Sequence, residues 1–355
     1  MNINFSCAIN STGYGIASWN ILKNLYSINE NISYFPIGQP SADDKNDHDL
    51  IVKLYRNSHT NFDPFAPFIK IWHQFDLANH TGKGHYYALS FFELDTFNSL
   101  ELSHLKVPDS ILVTCNWAKN IMQNNGINTP IKVVPLGVNR DIFDNSKYTK
   151  LNKQKYTFMN IGKWEIRKGH DILLELFQKA FPDETDVELC LLASENTNNY
   201  SSEQELQQWK NMYSSDKRVK LLNGTKFHTE IAEVINYADC GLFPSRAEGW
   251  NLELLEMMSM NKPVIATNYS AHTEFCNQDN SYLVNINETE KAYDGKAFVG
   301  QGNWAKIDNK QKDEIIDYMR YVYNNKIVTN INGVETAKKF SWLNSAKTLF
   351  GCINT

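Results

Sequence analysis

The sequence predicts an α/β protein made of two doubly wound, Rossmann-like domains, and three features carry that expectation. Short apolar runs recur along the 355 residues, helix-length amphipathic segments separate them, and one long polar stretch breaks the alternation near the middle. Strands of this length alternating with helices build parallel sheets with crossover helices on both faces.

The runs of the first half are "INFSCAI", "ISYFPI", "FIKIW", "YYALSFF", "SILVTC" and "IKVVPLGV"; those of the second are "YTFMNIG", "VELCLLA", "RVKLLNG", "CGLFPS" and "KPVIAT". Between the two sets lies "NRDIFDNSKYTKLNKQKY", residues 139 to 156, the best candidate for a linker. After residue 305 the spacing of apolar residues becomes helical, as in "KDEIIDYMRYVYNN" and "NGVETAKKFSWLNSAKTLFGCI". The expected division is residues 1–145, residues 146–335, and a final helical segment, 336–355, that crosses back to the first domain.

Composition bounds the function classes. Hydrophobic residues at 42% and aromatics at 12% belong to a chain that folds around real cores. A net charge of -5 announces no chain-wide basic field for a polyanion. The six cysteines, Cys7, Cys115, Cys190, Cys240, Cys276 and Cys352, form no C-x-x-C pair and mostly sit in apolar runs, which reads as buried thiols in a reducing compartment. The N-terminus "MNINFSCAIN" does not have the pattern of a signal peptide, and no apolar run approaches the ~18 residues of a membrane span. A cytoplasmic location is expected.

Open parallel sheets bind ligands beyond the carboxyl ends of their strands, so the residues after each run deserve inspection. In "INSTGYGIASWNILKNL", Gly13 and Gly15 precede a helix expected from about Ile16. Glycines let backbone approach a phosphate, although a G-x-G after a strand also serves as a plain tight turn. In "NIGKWEIRKGHDILLELF", Gly162 ends a strand, Lys163 follows, and Lys168 and Gly169 precede a helix; two ammonium groups there suit a diphosphate, and either Arg167 or Lys168 points inward.

The segment "FPSRAEGWNLELLEMMSMNKPVIAT" places Glu248 in a loop and Glu256 in the second turn of a helix expected over 251–260, with Asn251 as N-cap. A carboxylate accepts hydrogen bonds from two neighbouring sugar hydroxyls, and the N–H groups of Gly249, Trp250, Asn251 and Leu252 suit a phosphate. The plainer alternative makes Glu248 a cap and Glu256 a surface residue, and Glu253 is a rival inward acid. In "YALSFFELDTF", Glu93 and Asp95 follow a buried strand, with His73 of "IWHQFDL" after the neighbouring run. For His73 alone a hydrogen-bonded structural role is the default.

Taken together, "GKWEIRKG", "GLFPSRAEGWNLELLEMMSMNKPVIATNYSAHTEF" and "KVVPLGVNRDIF" resemble segments of the retaining glycosyltransferases of family four, which have the GT-B fold. They resemble that family's G-R-x4-K-G loop, its S-x-x-E-G-F-G-L-x-x-L-E-A-M segment and its P-x-G-V-x-x-x-x-F segment. "FFELDTF" and "VTCNWAKNIMQNNGI" resemble the E-T-D and S-x-W segments of a bacterial subgroup more loosely.

The resemblance implies two domains flanking a cleft and a role for each residue. Lys163 and Lys168 would neutralise the donor's diphosphate, and Glu248 would contact the transferred sugar; these three form the implied catalytic set. Glu256 would hold the ribose, while Gly162, Gly249, Trp250, Asn251 and Leu252 line the donor. The segment from Asn223 to Phe227, with Gly224 and Thr225, would touch the nucleobase, and Gly15 would close over the phosphates. His73, Glu93 and Asp95 fall on the acceptor side. The chain departs from the pattern at Lys163, which replaces an arginine, and at Trp250 and Asn251, which replace Phe and Gly. Where the family carries a histidine near the donor sugar, this chain offers Phe92 or Glu93, and that role is not carried over.

The implied reaction moves a sugar from a nucleoside-diphosphate-sugar, UDP- or GDP-linked, to an acceptor hydroxyl with retention, without a bound metal. A glycan or a lipid-linked glycan precursor is the expected acceptor, with peripheral contact at the inner face of a membrane in the second case. Modified DNA bases are a minority alternative. Hydrolysis or epimerisation of a sugar nucleotide, or non-catalytic binding of one, are the competing readings.

Overall fold

The computed structural model describes the chain except for residues 43, 150, 195–202, 223, 226, 227 and 355. It falls into two units, Met1–Asn139 with Lys339–Thr355, and Arg140–Lys338.

The first unit holds six strands: β1 (Ile3–Cys7), β2 (Ile32–Pro36), β3 (Phe68–Ile71), β4 (Tyr86–Ser90), β5 (Ser110–Val113) and β6 (Ile131–Val133). They pair in parallel in the order β2-β1-β3-β4-β5-β6. Every residue of β1, β3, β4 and β5 is buried, as expected for strands covered on both faces. The crossovers include α1 (Gly13–Ile28), α2 (Lys45–Thr60), α3 (Ser99–His104) and α4 (Asn116–Asn124), and the helix Trp342–Ile353 packs against α1.

Helix α1 begins at Gly13, three residues before the Ile16 that apolar spacing marks. The reason is local: Thr12 is extended and its hydroxyl accepts from the Gly15 N–H at 3.3 Å, which caps the first turn.

In the second unit β7 (Tyr156–Lys163), β8 (Val187–Ser194), β9 (Val219–Leu221), β10 (Cys240–Phe243), β11 (Val264–Asn268) and β12 (Tyr282–Asn285) form a parallel sheet. Its order is β12-β11-β10-β7-β8-β9. An antiparallel pair, β13 (Thr289–Tyr293) and β14 (Val299–Ala305), stands apart from it. The helices are α5 (Leu173–Ala180), α6 (Glu203–Tyr213), α7 (His228–Tyr237), α8 (Leu252–Ser259), α9 (His272–Phe275), α10 (Asn309–Asn324) and α11 (Ile331–Lys339). Phe158, Phe177, Phe181, Leu189 and Met319 are fully buried between sheet and helices.

All eleven apolar runs are strands, and the helix read from Asn251 onward is α8 with Asn251 as its N-cap. The stretch from 139 to 156 is not uniformly solvated. Phe143 is fully buried, and the Ser259 hydroxyl donates to its carbonyl at 2.5 Å.

Both sheets reverse strand order once, between β1 and β3 and between β7 and β10. At such a point the crossover helices leave to opposite faces and a crevice opens at the carboxyl ends. The second sheet shows how it opens. Backbone register between β7 and β10 covers Phe158 and Met159; one residue on, the Asn160 side chain takes over and donates to the Leu242 carbonyl at 2.7 Å.

The return of the chain to the first unit rests on a close backbone approach. Val138 N–H donates to Phe340 C=O at 3.0 Å, and a Cβ on Gly137 would overlap the Ser341–Trp342 peptide. Gly137→Ala should therefore destabilise this unit by about 1–3 kcal/mol, read as a lower Tm; an unchanged Tm would show that the contact yields freely.

Candidate functional site

The loops after β7 and β10 flank the second sheet's reversal point, and they carry the charged residues singled out from sequence. Gly162 and Lys163 end β7, and residues 165 to 170 form a tight turn closed by backbone bonds from Lys168, Gly169 and His170. Gly169 is required there. Its φ is +82°, and a side chain would meet the Pro244 carbonyl of the β10 loop at 2.5 Å. The aliphatic part of Lys168 lies over Gly162, where any side chain would displace it.

Glu248 is the centre of this cluster. Only 4% exposed, it receives Lys168 Nζ at 3.0 Å and the Ser245 hydroxyl at 2.9 Å on Oε1, and Arg167 Nη1 at 2.7 Å on Oε2. Both Arg167 and Lys168 are buried, so the choice between them does not arise: they reach the same carboxylate. Burial would raise the Glu248 pKa, but the two cations outweigh it and hold the carboxyl far below the usual range. Lys168 likewise keeps its charge. Burial works against it, and Glu248 and Glu253 push its pKa above the ordinary lysine value.

Arg167 also donates to the Ala247 carbonyl at 2.7 Å and, through Nη2, to Glu165 at 2.6 Å. Glu165 would rise with burial, but Arg167, Lys168 and Lys163 hold it low. Lys163 is exposed at the end of β7 and forms no ion pair with a described residue. Next to Glu248, Arg246 pairs with both oxygens of Asp171 at 2.8 Å, which ties the β10 loop to the start of the α5 segment. A carboxylate has about four acceptor positions. Among the described residues three on Glu248 are taken, so it has room for one further hydroxyl.

The loop continues into α8 through Asn251, whose φ of 80° and ψ of 79° are left-handed. This is the position where the family pattern has glycine, and Asn is among the few other residues that adopt this conformation readily. Its side chain accepts from Leu254 N–H at 3.2 Å and meets His272 Nε2 at 2.9 Å. Trp250 is buried against Phe275, with ring centroids 4.9 Å apart.

One turn into α8, Glu256 is 3% exposed; its Oε1 lies 2.7 Å from His228 Nε2, and its buried Oε2 has no hydrogen-bond partner among the described residues. Glu253 is only half-buried. Desolvation pushes its pKa up, with Lys168 opposing and Glu256 and Glu248 adding, which links the acids electrostatically. Gly224 and Thr225 follow β9 at the same sheet edge, whereas 223, 226 and 227 of the expected base-contacting segment lie outside the described residues. Two surface depressions of roughly 380 and 420 Å³, one bounded by Asn2, Asn31 and Asn57 and the other by Tyr269, Ile286 and Thr289, are lined by none of these charged residues.

The first unit has its own cluster at the β1–β3 reversal. His73 packs on Tyr14 with ring centroids 4.3 Å apart and stacks on the 46% exposed Phe75 at 5.0 Å. Tyr14, which separates the two glycines, stacks on Phe91 at 4.1 Å, and its hydroxyl donates to the Phe91 carbonyl and accepts from the Phe91 N–H. Desolvation pushes the Tyr14 pKa up, with Glu93 contributing. Gly13 is exposed, and Gly15 is explained by packing, since a side chain there would run into Asn10. Asp95 lies just beyond, beside Thr96, its carbonyl bound by Asn125.

Sequence reasoning missed Tyr14, His228 and His272, and it did not foresee the ion cluster. The signal for His272 was the run "NYSAHTEF" just after β11, a carboxyl-edge position like the others.

Two outcomes follow. Arg167→Met removes one of two cations from a buried carboxylate and should cost about 3–5 kcal/mol in chemical denaturation; a loss under about 1 kcal/mol would mean that Glu248 is not truly desolvated. His170 is fully buried and burial lowers its pKa from 6.5 to about 4. The unfolded chain then binds this proton more readily than the native chain, so stability should fall as pH drops from about 6.5 to about 4. Replacing His170 with Asn should flatten that part of the stability–pH curve, and an unchanged slope would contradict the assignment.

Residues 155–295 match the family model for glycosyl transferases group 1. Over 262 residues the chain is 26% identical to an uncharacterized glycosyltransferase of Methanocaldococcus jannaschii, a match that takes in 73% of this chain. It spans 60% of the length of that relative. Among solved structures, it resembles a sucrose-phosphate synthase from Thermosynechococcus elongatus with a TM-score of 0.71 at 13% identity, over 100% of this chain and 98% of the other. It also resembles the pneumococcal O-GlcNAc transferase GtfA in complex with UDP and GlcNAc, with a TM-score of 0.59 at 12% identity over 84% of this chain and 58% of that one. Residues 155–295 thus resemble a group 1 glycosyl transferase domain, and the chain has the GT-B fold of its structural neighbours.

Proposed function

We propose that the chain is a retaining glycosyltransferase that moves a sugar from a nucleoside-diphosphate-sugar to an acceptor hydroxyl. One observation carries the reading: at the strand-order reversal of the second unit, Arg167 and Lys168 meet Glu248 while Lys163 ends β7 beside them, and the helix after Glu248 presents an oxygen of Glu256 that has no partner among the described residues. The matched group 1 domain covers these residues.

The chemistry of the transfer asks for this set. As the sugar departs, negative charge grows on the diphosphate oxygen and positive charge on the ring, so fixed cations stabilise the transition state more than the ground state. Lys168 is held charged in a buried position, and Lys163 offers a second ammonium from the solvent side. Glu248 orients Lys168 and has one acceptor position for a hydroxyl of the transferred sugar. Glu256 accepts from the ribose. The backbone N–H groups of Gly249 to Leu252, set by the left-handed Asn251, supply further donors for sugar or phosphate. In this reading the acceptor attacks from the side of the leaving group, and the departing phosphate oxygen takes the acceptor's proton.

The donor proposed is a UDP- or GDP-sugar; the pneumococcal neighbour was solved with UDP and GlcNAc. The acceptor proposed is a glycan or a lipid-linked glycan precursor, and the rings of Tyr14, Trp72, His73 and Phe75 at the reversal point of the first sheet support it, because aromatic faces stack on the apolar faces of sugars. Glu93 and Asp95 beside them would accept from acceptor hydroxyls. Among the described residues no helix is long and apolar enough to cross a membrane, so a lipid-linked acceptor would be met by peripheral contact.

A screen of UDP-, GDP- and ADP-sugars by thermal shift should show stabilisation by one base class. With that donor, Lys168→Ala should lower the rate of nucleotide release about 10²–10³-fold while the circular dichroism spectrum is retained, and near-wild-type release would remove Lys168 from the diphosphate. The product's anomeric configuration, read by NMR coupling constants, should match the donor's; inversion would overturn the retaining mechanism.

A further inference from the structure

Glu256 sits in the second turn of α8, where a helix surface would ordinarily let its side chain rotate through several rotamers. Here it is buried, and the two oxygens are in unlike situations. Oε1 is held by His228 Nε2 at 2.7 Å; Oε2 is buried without a hydrogen-bond partner among the described residues. Burying an acceptor without a partner is costly, so a protein keeps one mainly where a ligand or a water completes it. The contrast with Glu248 is informative, since that acid uses both oxygens within the chain.

His228 opens α7 and is partly buried, its ring 5.1 Å from that of the fully buried Phe143. An ionised carboxylate only accepts hydrogen bonds, so the bond at Oε1 is donated by Nε2–H. One fixed donor on one oxygen removes the rotation of the carboxylate about its last bond and aims the other oxygen.

We infer that His228 is a positioning residue for donor recognition: by anchoring Oε1 of Glu256 it directs Oε2 at a ribose hydroxyl, so the chain distinguishes ribonucleotide donors from those without these hydroxyls. This rests on the proposed ribose role of Glu256. His228 itself touches no substrate atom. Its effect passes through the carboxylate, and it therefore depends on whether the ligand has hydroxyls to offer.

The test measures binding by isothermal titration of UDP, GDP and ADP and of their 2′,3′-dideoxy counterparts to the full chain. The wild type should bind one ribonucleotide at least 10-fold more tightly than its dideoxy counterpart. In His228→Ala that ratio should shrink at least fivefold, with the dideoxy affinity unchanged, and His228→Gln, which can place an amide N–H near the same point, should restore most of it. Glu256→Gln separates the two levels of the argument. If it narrows the ratio and His228→Ala does not, the positioning role is overturned while the ribose reading survives. If neither variant changes the ratio, the ribose reading falls and the inference with it, as it does if no diphosphate binds. Equal weakening of ribo- and dideoxynucleotides by His228→Ala would reduce the residue to packing, which also overturns the proposal.

Discussion

A carboxylate taken out of water stays ionised only if cations come with it, and the second unit is arranged around that constraint. Glu248 is 4% exposed and keeps its charge because Arg167 and Lys168 arrive from the neighbouring strand's loop. For both to reach it, the chain must turn sharply after β7, which demands the left-handed Gly169 pressed against the Pro244 carbonyl, and the β10 loop must be held by Arg246 on Asp171 and by the Ser270 hydroxyl on the Glu248 N–H. The two loops meet where strand order reverses, the place where a doubly wound sheet leaves room for a ligand. Packing and electrostatics thus fix the same few residues.

This has a functional side. A buried ion cluster adds little net stability over well-packed apolar residues, and its worth lies in presenting charges in one geometry. Glu248 raises the Lys168 pKa and holds the ammonium in place, so in the proposed transfer no large reorganisation would be required when negative charge appears on a leaving diphosphate. Arg167 gives the site a guanidinium that the family pattern expects at position 163, but it spends its hydrogen bonds on Glu165, Ala247 and Glu248. Lys163, exposed and without an ion pair among the described residues, is in the proposed reading a cation that could follow a ligand.

Much of the fold was legible because buried parallel strands write themselves as continuous apolar runs, and eleven of them did so. Strand β12 and the β13–β14 pair were missed. The run "SYLVN" is short, and residues 289–305 mix charged, glycine and aromatic residues with no sustained alternation and a register shift between Lys291 and Tyr293. Helix α8 and its Asn251 cap could be read because capping chemistry is local. The site was legible only residue by residue: Lys168, Glu248 and Glu256 each stood out, yet nothing in their spacing says that the lysine and the first acid share a bond, or that the second acid leaves one oxygen open. His228 and His272 act through partners 28 and 21 positions away, and single-sequence reading has no access to such pairings. Tyr14, between two glycines, carries no sequence signal for its role as the ring against which His73 and Phe91 pack.

The most direct measurement is a crystal structure of the chain with the nucleoside diphosphate that stabilises it. The account predicts the diphosphate against the Lys163 and Lys168 ammonium groups, with a ribose hydroxyl on Glu256 Oε2. A diphosphate seated elsewhere, with the Arg167–Glu248–Lys168 cluster undisturbed and remote from it, would contradict the account.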